Sequence, residues 1–228
     1  ATAFSLQPIP EGNRVAVVTN AGGPGILCTD AIESAGNLEM SKLAESTLSE
    51  LRGKLPSVAA FNNPIDVVGD AGADRYQVAL EPVLRDPNVD SVIVVVSPQS
   101  MTEPMPTANA VAEAVRKFGE KPVLTCWMGG DIVKDAFEAS REAGVPPYDA
   151  PERAALAVSG MARYAEMRKK GLGTPISRDA ANKEQVKEII AKVRAEGRSA
   201  LLGCEAAQVV AAYGLDAAPG RLVTSAGA

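Results

Sequence analysis

The stretch VAVVTNAGGPGIL, residues 15–27, decides the fold. Its first half, Val15 to Thr19, is a short apolar run rich in β-branched side chains and without polar alternation, the pattern of a strand buried on both faces. Asn20-Ala21-Gly22-Gly23-Pro24-Gly25 then makes a glycine corner. Pro24, with φ preset near the helical value, opens a helix that Gly36 stops. A buried strand passing through a glycine corner into a helix is the first half of a parallel βαβ unit.

Working outward, the same alternation repeats. A helix over residues 41–52, capped by Ser41 and carrying Leu43, Leu48 and Leu51 at helical spacings, stops before Pro56. Residues 63–66 read as extended loop. Asp74 caps a helix to about Leu84, and Asp86-Pro87-Asn88 turns the chain into residues 91–97, the clearest strand pattern present. A helix from Thr102 or Glu103 to Phe118 follows, then a strand over 122–127, Gly129-Gly130, a helix over 131–143, a short strand over 145–148, and a helix from Pro151 to about Lys170. Strands alternating with helices require right-handed crossovers. The expected fold for residues 13–170 is therefore α/β, a doubly wound, mostly parallel, flavodoxin-like sheet.

Residues 1–12, with Pro8, Pro10 and Gly12, read as a linker, and residues 171–181 as a second one. From residue 182 the pattern predicts a C-terminal helical extension. Val186, Ile189, Ile190 and Val193 mark one face of a helix over 182–196, and a second helix over 201–213 ends at Gly214. A strand over 221–224 would follow. This looks like the opening of a further domain.

Composition narrows the function. With 228 residues, 46% hydrophobic and 22% charged, the chain is long enough for one core plus an appendage. The net charge of -5 is interspersed, and no basic patch points to nucleic acid. No apolar run approaches a bilayer span, and a cytoplasmic location is expected. Cys28, Cys126 and Cys204 lie far apart without metal or disulfide spacing. Histidine is absent altogether, which removes histidine-based triads, histidine metal sites and any phosphohistidine formed on this chain. No catalytic residue and no metal site is expected.

Glycines let the backbone approach a ligand closely, and the free N–H groups and dipole of a helix N-terminus favour an anion. Asn20, Ala21, Gly22, Gly23, Pro24 and Gly25 thus form a candidate phosphate site. The alternative is a corner built only for tight geometry. Nucleotide fingerprints are missing: a G-x-G-x-x-G/A frame begun at Gly23 meets Gly25 and then Cys28, and no P-loop pattern occurs. Other strand ends bring Asn62, Asn63, Asp66, Gly69 and Asp70, then Ser97, Pro98, Gln99 and Ser100, then Gly129 and Gly130, towards the same rim. Asp66 and Asp70 fit turn and cap chemistry as well. Cys28 and Trp127 are read as packing.

The residues also carry a resemblance. VAVVTNAGGPGILCTDAIE, NNPIDVVGDAGADRYQVALEPVLRDPNVDSVIVVVSPQSMTEP, KPVLTCWMGGD and GVPPYDAPERA resemble, in order, the last α/β domain of the CoA-binding subunit of NDP-forming acyl-CoA synthetases. The likeness covers about residues 12–170 and extends to the carboxy-terminal domain of the succinyl-CoA synthetase β-subunit. LLGCEAAQVVAAYGLDAAP resembles the start of the ATP-grasp domain that follows in fused members, although Gly203-Cys204 departs from the pattern. The resemblance implies reversible conversion of acyl-CoA, ADP and phosphate into acid, CoA and ATP through a phosphohistidine gripped by two helix N-termini, one of them this glycine corner. It implies ATP or ADP, CoA and Mg in the full enzyme, and partners that supply the CoA-binding, phosphohistidine and ATP-grasp parts, with a homodimer left open. Without histidine, the chain alone should be inactive. A regulatory, ligand-sensing module of protein acetyltransferase-type relatives is the alternative, and an anion-binding flavodoxin-like module a third.

Overall fold

The computed structural model describes residues 1–171, 173, 181–218, 220, 222, 223 and 225, and it divides into two compact units, Ala1–Gly171 and residues 172–228. The first unit runs α1 (Thr2–Leu6), β1 (Arg14–Thr19), α2 (Gly22–Ser34), β2 (Glu39–Met40), α3 (Glu45–Lys54), β3 (Ile65–Asp66), α4 (Ala73–Arg85), β4 (Ser91–Val96), α5 (Pro104–Phe118), β5 (Val123–Trp127), a 3-10 turn (Gly130–Val133), α6 (Lys134–Glu142), β6 (Pro147–Tyr148) and α7 (Pro151–Lys170).

All named strand pairs are parallel. β2 pairs with Arg14 and Val15 at the start of β1, and β3 pairs with Val18 and Thr19 at its end, so the two short strands share one edge. With that pair counted as one position, the order β2/β3-β1-β4-β5-β6 is the flavodoxin order 2-1-3-4-5. The doubly wound expectation holds.

The side chain of Asn63 fills the break between β2 and β3. Its Oδ1 accepts from the Val17 N–H at 2.9 Å, and its Nδ2 donates to the carbonyls of Val15 at 2.8 Å and Ser41 at 3.1 Å. An amide side chain thus replaces the backbone groups that a continuous neighbour would supply. Gln7 performs the same service at the far edge, accepting from the Val123 N–H at 2.8 Å and donating to the Gly144 carbonyl at 2.7 Å.

The period of two along β1 divides the core. Ala16 and Val18 face a layer built from α3, α4, α5 and α6, while Val15 and Val17 face α2 and α7. All six β4 residues are buried, at roughly 1.5–3 kcal/mol for each fully buried valine or isoleucine side chain.

Several boundaries differ from expectation. The first twelve residues, read as linker, contain α1, whose Ala3 enters the core beside α7. Glu39–Met40 and Ile65–Asp66 become strands because β1 offers them an edge. Ser41 does not cap α3: its N–H donates to the Val15 carbonyl at 2.9 Å, which extends the chain past β2. The Asp86 carboxylate receives the Ala44 N–H at 2.8 Å instead. α2 begins at Gly22, ahead of Pro24. In the second unit α8 (Lys183–Ala195) is capped by Asn182, which accepts from the Gln185 N–H at 3.1 Å, and α9 (Gly203–Ala212) ends before Gly214 at φ +75°. Parts of the 221–224 strand and most of the 171–181 linker lie outside the described residues.

Candidate functional site

After β1 the chain turns to one side of that strand, to β2 and β3, and later crosses to β4 on the other side. Such a reversal opens a crevice at the carboxyl ends of the two strands. The glycine corner stands at this opening.

Asn20 is 1% exposed, and its amide is spent on structure. Nδ2 donates to the Ser97 carbonyl at 2.9 Å and to Thr102 Oγ1 at 3.3 Å, and Oδ1 accepts from the Ser97 N–H at 2.9 Å. It therefore pins the end of β1 to the end of β4. Thr19 Oγ1 accepts from the Ala21 N–H at 3.1 Å and donates to the Ala21 carbonyl at 3.0 Å, while the Gly25 N–H donates to that same carbonyl at 3.1 Å. Pro24 has no N–H. Gly22 and Gly23 keep N–H groups without a partner among the described residues, and both are exposed at the N-terminus of α2. The six-residue candidate site contracts to two donors reinforced by a helix dipole.

The three glycines have different reasons to be there. A Cβ on Gly25 would come within 3.0 Å of Thr19 Cγ2, so that residue allows close packing of helix on strand. A Cβ on Gly22 would lie 3.7 Å from Asp66 Oδ2, whereas one on Gly23 would meet open space. Asp66 thus stands beside the donors, its other oxygen accepting from the Val68 N–H at 2.9 Å. Val68 has φ +74°, an outlier for a β-branched residue and a local cost carried beside the site.

Gln99 crosses from the β4 loop and donates to the Asn20 carbonyl at 3.3 Å. A Cβ on Gly69 would fall 2.2 Å from Gln99 Oε1, so the absence of a side chain there lets Gln99 lie flat. Asp66, Gly69 and Gln99 therefore gather at the corner. Asn63 lies below the rim, committed to the sheet. Asp70 turns outward into an ion pair with Arg75 at 2.5 Å, whose hydrogen bond holds the carboxyl below its ordinary range. Gly129, at φ +152°, packs against Pro98, and Gly130, at φ +57°, faces open space.

Three contributors escaped the sequence reading. Thr19 and Thr102 brace the corner through the bonds above; a threonine directly before Asn20 was the available signal. Tyr76 is fully buried, and its hydroxyl donates to the Val95 carbonyl at 3.1 Å. Burial, and then the charge of Asp66, push its phenol well above the usual range, so it stays a neutral donor. No local pattern marks that tyrosine. Burial also pushes the Cys28 thiol up to about 12, with Glu152 adding to the effect, which fits packing rather than reactivity. Trp127 is likewise buried, donating from Nε1 to Thr125 Oγ1 and Ser140 Oγ, both at 3.1 Å.

These features define a flavodoxin-like domain with two exposed N–H donors at its switch point. The chain matches the Ligase-CoA domain model over residues 15–173 and belongs to that family. It is 39% identical over 169 residues to the acetate–CoA ligase (ADP-forming) II subunit alpha of Pyrococcus furiosus, covering 73% of this chain and 36% of that protein. It is 34% identical over 219 residues to the 4-hydroxybutyrate–CoA ligase (ADP-forming) of Nitrosopumilus maritimus, covering 94% and 30%. Among solved structures it is similar to the dinucleotide forming acetyl-coenzyme A synthetase 1 of Ca. Korarchaeum cryptofilum in complex with phosphate and ADP, at 34% identity and TM-score 0.70 over 76% of this chain and 38% of that one. The chain spans about a third of the length of these relatives.

Proposed function

We propose that this chain is a part of an ADP-forming acyl-CoA synthetase, and that its glycine corner grips the phosphoryl group carried on a histidine of another domain or subunit. The overall reaction would interconvert acyl-CoA, ADP and phosphate with the acid, CoA and ATP. The observation that carries the reading is the pair of unpartnered N–H groups of Gly22 and Gly23 at the head of a 13-residue helix, in a chain that has no histidine of its own.

Phosphoryl transfer spreads negative charge over the equatorial oxygens, and fixed N–H donors with an aligned dipole stabilise that charge without reorganising. Gly22 and Gly23 supply the donors. Gly25 lets the helix sit tightly on β1, and Asn20 holds the crevice open at a fixed width. Asp66 Oδ2, beside Gly22, suits an acceptor for an imidazole N–H on the arriving carrier. Among the described residues no group of three or more Cys, Asp or Glu side chains is placed to hold a metal ion. The family resemblance assigns CoA, ADP and Mg2+ to the full enzyme, of which this chain spans about a third. The match of 219 residues, 94% of this chain, to a ligase about three times its length supports reading the second unit as the beginning of an ATP-grasp segment.

The test is a phosphate titration followed by amide NMR, beside Gly23→Asp. That variant has open space for its side chain and an acid at a favoured helix position, so folding is retained. Shifts centred on residues 21–26, lost in the variant, are expected. A corner silent at millimolar phosphate, or equal shifts in the variant, would overturn the proposal.

A further inference from the structure

A hollow of about 470 Å³ lies between α2 and α7, lined by Leu27, Ala31, Ala35 and Leu156 with Asp30 and Glu152 at its rim. Leu156 is 71% exposed and Leu27 46%, and Ile26, one position nearer the corner, is 60% exposed. Scattered surface leucines need no explanation, but Leu27 and Leu156 line one depression from its two helices. Its floor is made of small side chains, which lets a partner helix settle between two ridges. Its charge has one sign. Among the described residues neither rim carboxylate is in an ion pair, Glu33 is exposed on the same helix, and the neighbouring Arg153 is taken up by Asp149 at 2.8 Å. The Glu152 charge is felt as far inward as the Cys28 thiol.

We infer that the α2–α7 hollow is the docking site for a basic, amphipathic helix of a partner polypeptide, the one that brings its phosphoryl group to the glycine corner. Charge complementarity selects the occupant. A second copy of this chain would set acid against acid, and an anionic lipid surface would be repelled for the same reason. Continuity with the corner gives the site its purpose. Leu27 lies five residues beyond Gly22 on the same helix, about 7.5 Å along its axis at 1.5 Å per residue. A helix seated at Leu27 therefore ends its neighbouring loop over the free N–H groups. The identity of the cargo rests on the proposed function; the basic apolar character of the occupant does not.

The experiment uses the full chain and two labelled peptides of about 14 residues, four helical turns, one amphipathic in leucine and lysine and the other in leucine and glutamate. Fluorescence anisotropy should show binding of the lysine peptide alone, weakened by added salt. Leu156→Asp and Glu152→Lys should each weaken it roughly tenfold or more, since each removes an anchor or reverses the rim. Both substitutions fall on exposed side chains, and unchanged far-UV circular dichroism would confirm folding. Equal binding of both peptides, no binding at millimolar peptide, or indifference to Leu156→Asp would overturn the inference. So would sedimentation showing dimers that Leu156→Asp dissolves, because the occupant would then be a second copy. Phosphate shifts at residues 21–26, measured on the same samples, report on the corner separately: their absence beside charge-selective peptide binding sinks the phosphoryl reading and leaves the docking site standing.

Discussion

Asn20→Asp is nearly isosteric, yet it should damage both the fold and the cradle. The substitution removes the donor that reaches the Ser97 carbonyl at 2.9 Å and Thr102 Oγ1 at 3.3 Å, and it sets a carboxylate against that carbonyl at a position 1% exposed. An orphaned buried acceptor costs about 1–3 kcal/mol and a buried unpaired charge adds to it, so a loss of about 3–5 kcal/mol is expected at neutral pH. That is a large fraction of a total near 5–15 kcal/mol, and it corresponds to a fall in Tm of roughly 10 °C for a domain of this size. The assay is urea unfolding followed by Trp127, the chain's single tryptophan, which is buried in β5 and reports the first unit.

Proton linkage gives the prediction its sign. Burial against a carbonyl raises the folded pKa of the new carboxyl above its unfolded value near 3.9, so the penalty is complete above the raised value and fades as pH falls towards the unfolded one. The protonated acid can also donate to Ser97, as the amide did. The difference between wild type and variant should therefore shrink between pH 7 and pH 4. A loss below about 1 kcal/mol, or one that does not change with pH, would refute the view that this amide locks β1 to β4.

Three further outcomes are expected. Asn63→Ala should cost about 2–5 kcal/mol by orphaning the Val17 N–H and the Val15 carbonyl, and hydrogen exchange at Val17 should accelerate by orders of magnitude; unaltered exchange would mean that Asn63 does not complete the sheet. Gly129→Ala should destabilise by about 2–4 kcal/mol, because φ is +152° and the new Cβ would sit 2.5 Å from Pro98 Cγ, whereas Gly23→Ala, facing open space, should stay within about 1 kcal/mol in the same melts. Burial pushes the Asp90 carboxyl up, but hydrogen bonds from the Arg14 side chain and backbone at 2.8 and 2.9 Å outweigh it and hold the carboxyl below its ordinary range. Its contribution is thus present above the unfolded pKa near 3.9 and lost as pH falls through the lower folded value, so urea midpoints of Asp90→Asn should depend less steeply on pH below about 4 than those of wild type.

Much of this fold could be read from patterns that a buried parallel sheet imposes on sequence. β1, β4 and β5 are continuous apolar runs because both faces are covered, and each opens into a helix that the glycine, proline and Asx signals locate to within a few residues. What escaped depends on contacts distant in sequence. Glu39–Met40 and Ile65–Asp66 are too short to carry any period and become strands only because β1 and the Asn63 amide receive them. Gln7 sits in a proline-punctuated lead-in, yet its side chain bridges positions 123 and 144. The corner was legible as a place and not as a set of atoms. Sequence shows six residues there, but only packing decides that the Asn20 amide is consumed, that the Gly25 N–H is bonded, and that Gly22 and Gly23 keep theirs.

A two-donor cradle on an acidic protein poses an electrostatic problem. The chain carries a net charge of -5, Asp66 stands beside Gly22, and Asp30 and Glu152 flank the adjacent hollow, so the long-range field opposes the approach of a free phosphate dianion even though the last few ångströms favour it. A phosphoryl group delivered on a polypeptide avoids the difficulty. Under the proposed function, a basic helix would be drawn to the acidic hollow, the anion would travel with a carrier whose charge balances it, and Asp66 would change from a repulsive neighbour into an acceptor for the carrier's imidazole N–H. On this reasoning the carboxylates around the corner discriminate between cargo that arrives free and cargo that arrives attached. Neutralising Asp66 and Glu152 together should then strengthen the binding of inorganic phosphate at residues 21–26 while weakening that of the lysine peptide. If amide shifts and anisotropy on the double variant moved in the same direction, the corner would not discriminate in this way.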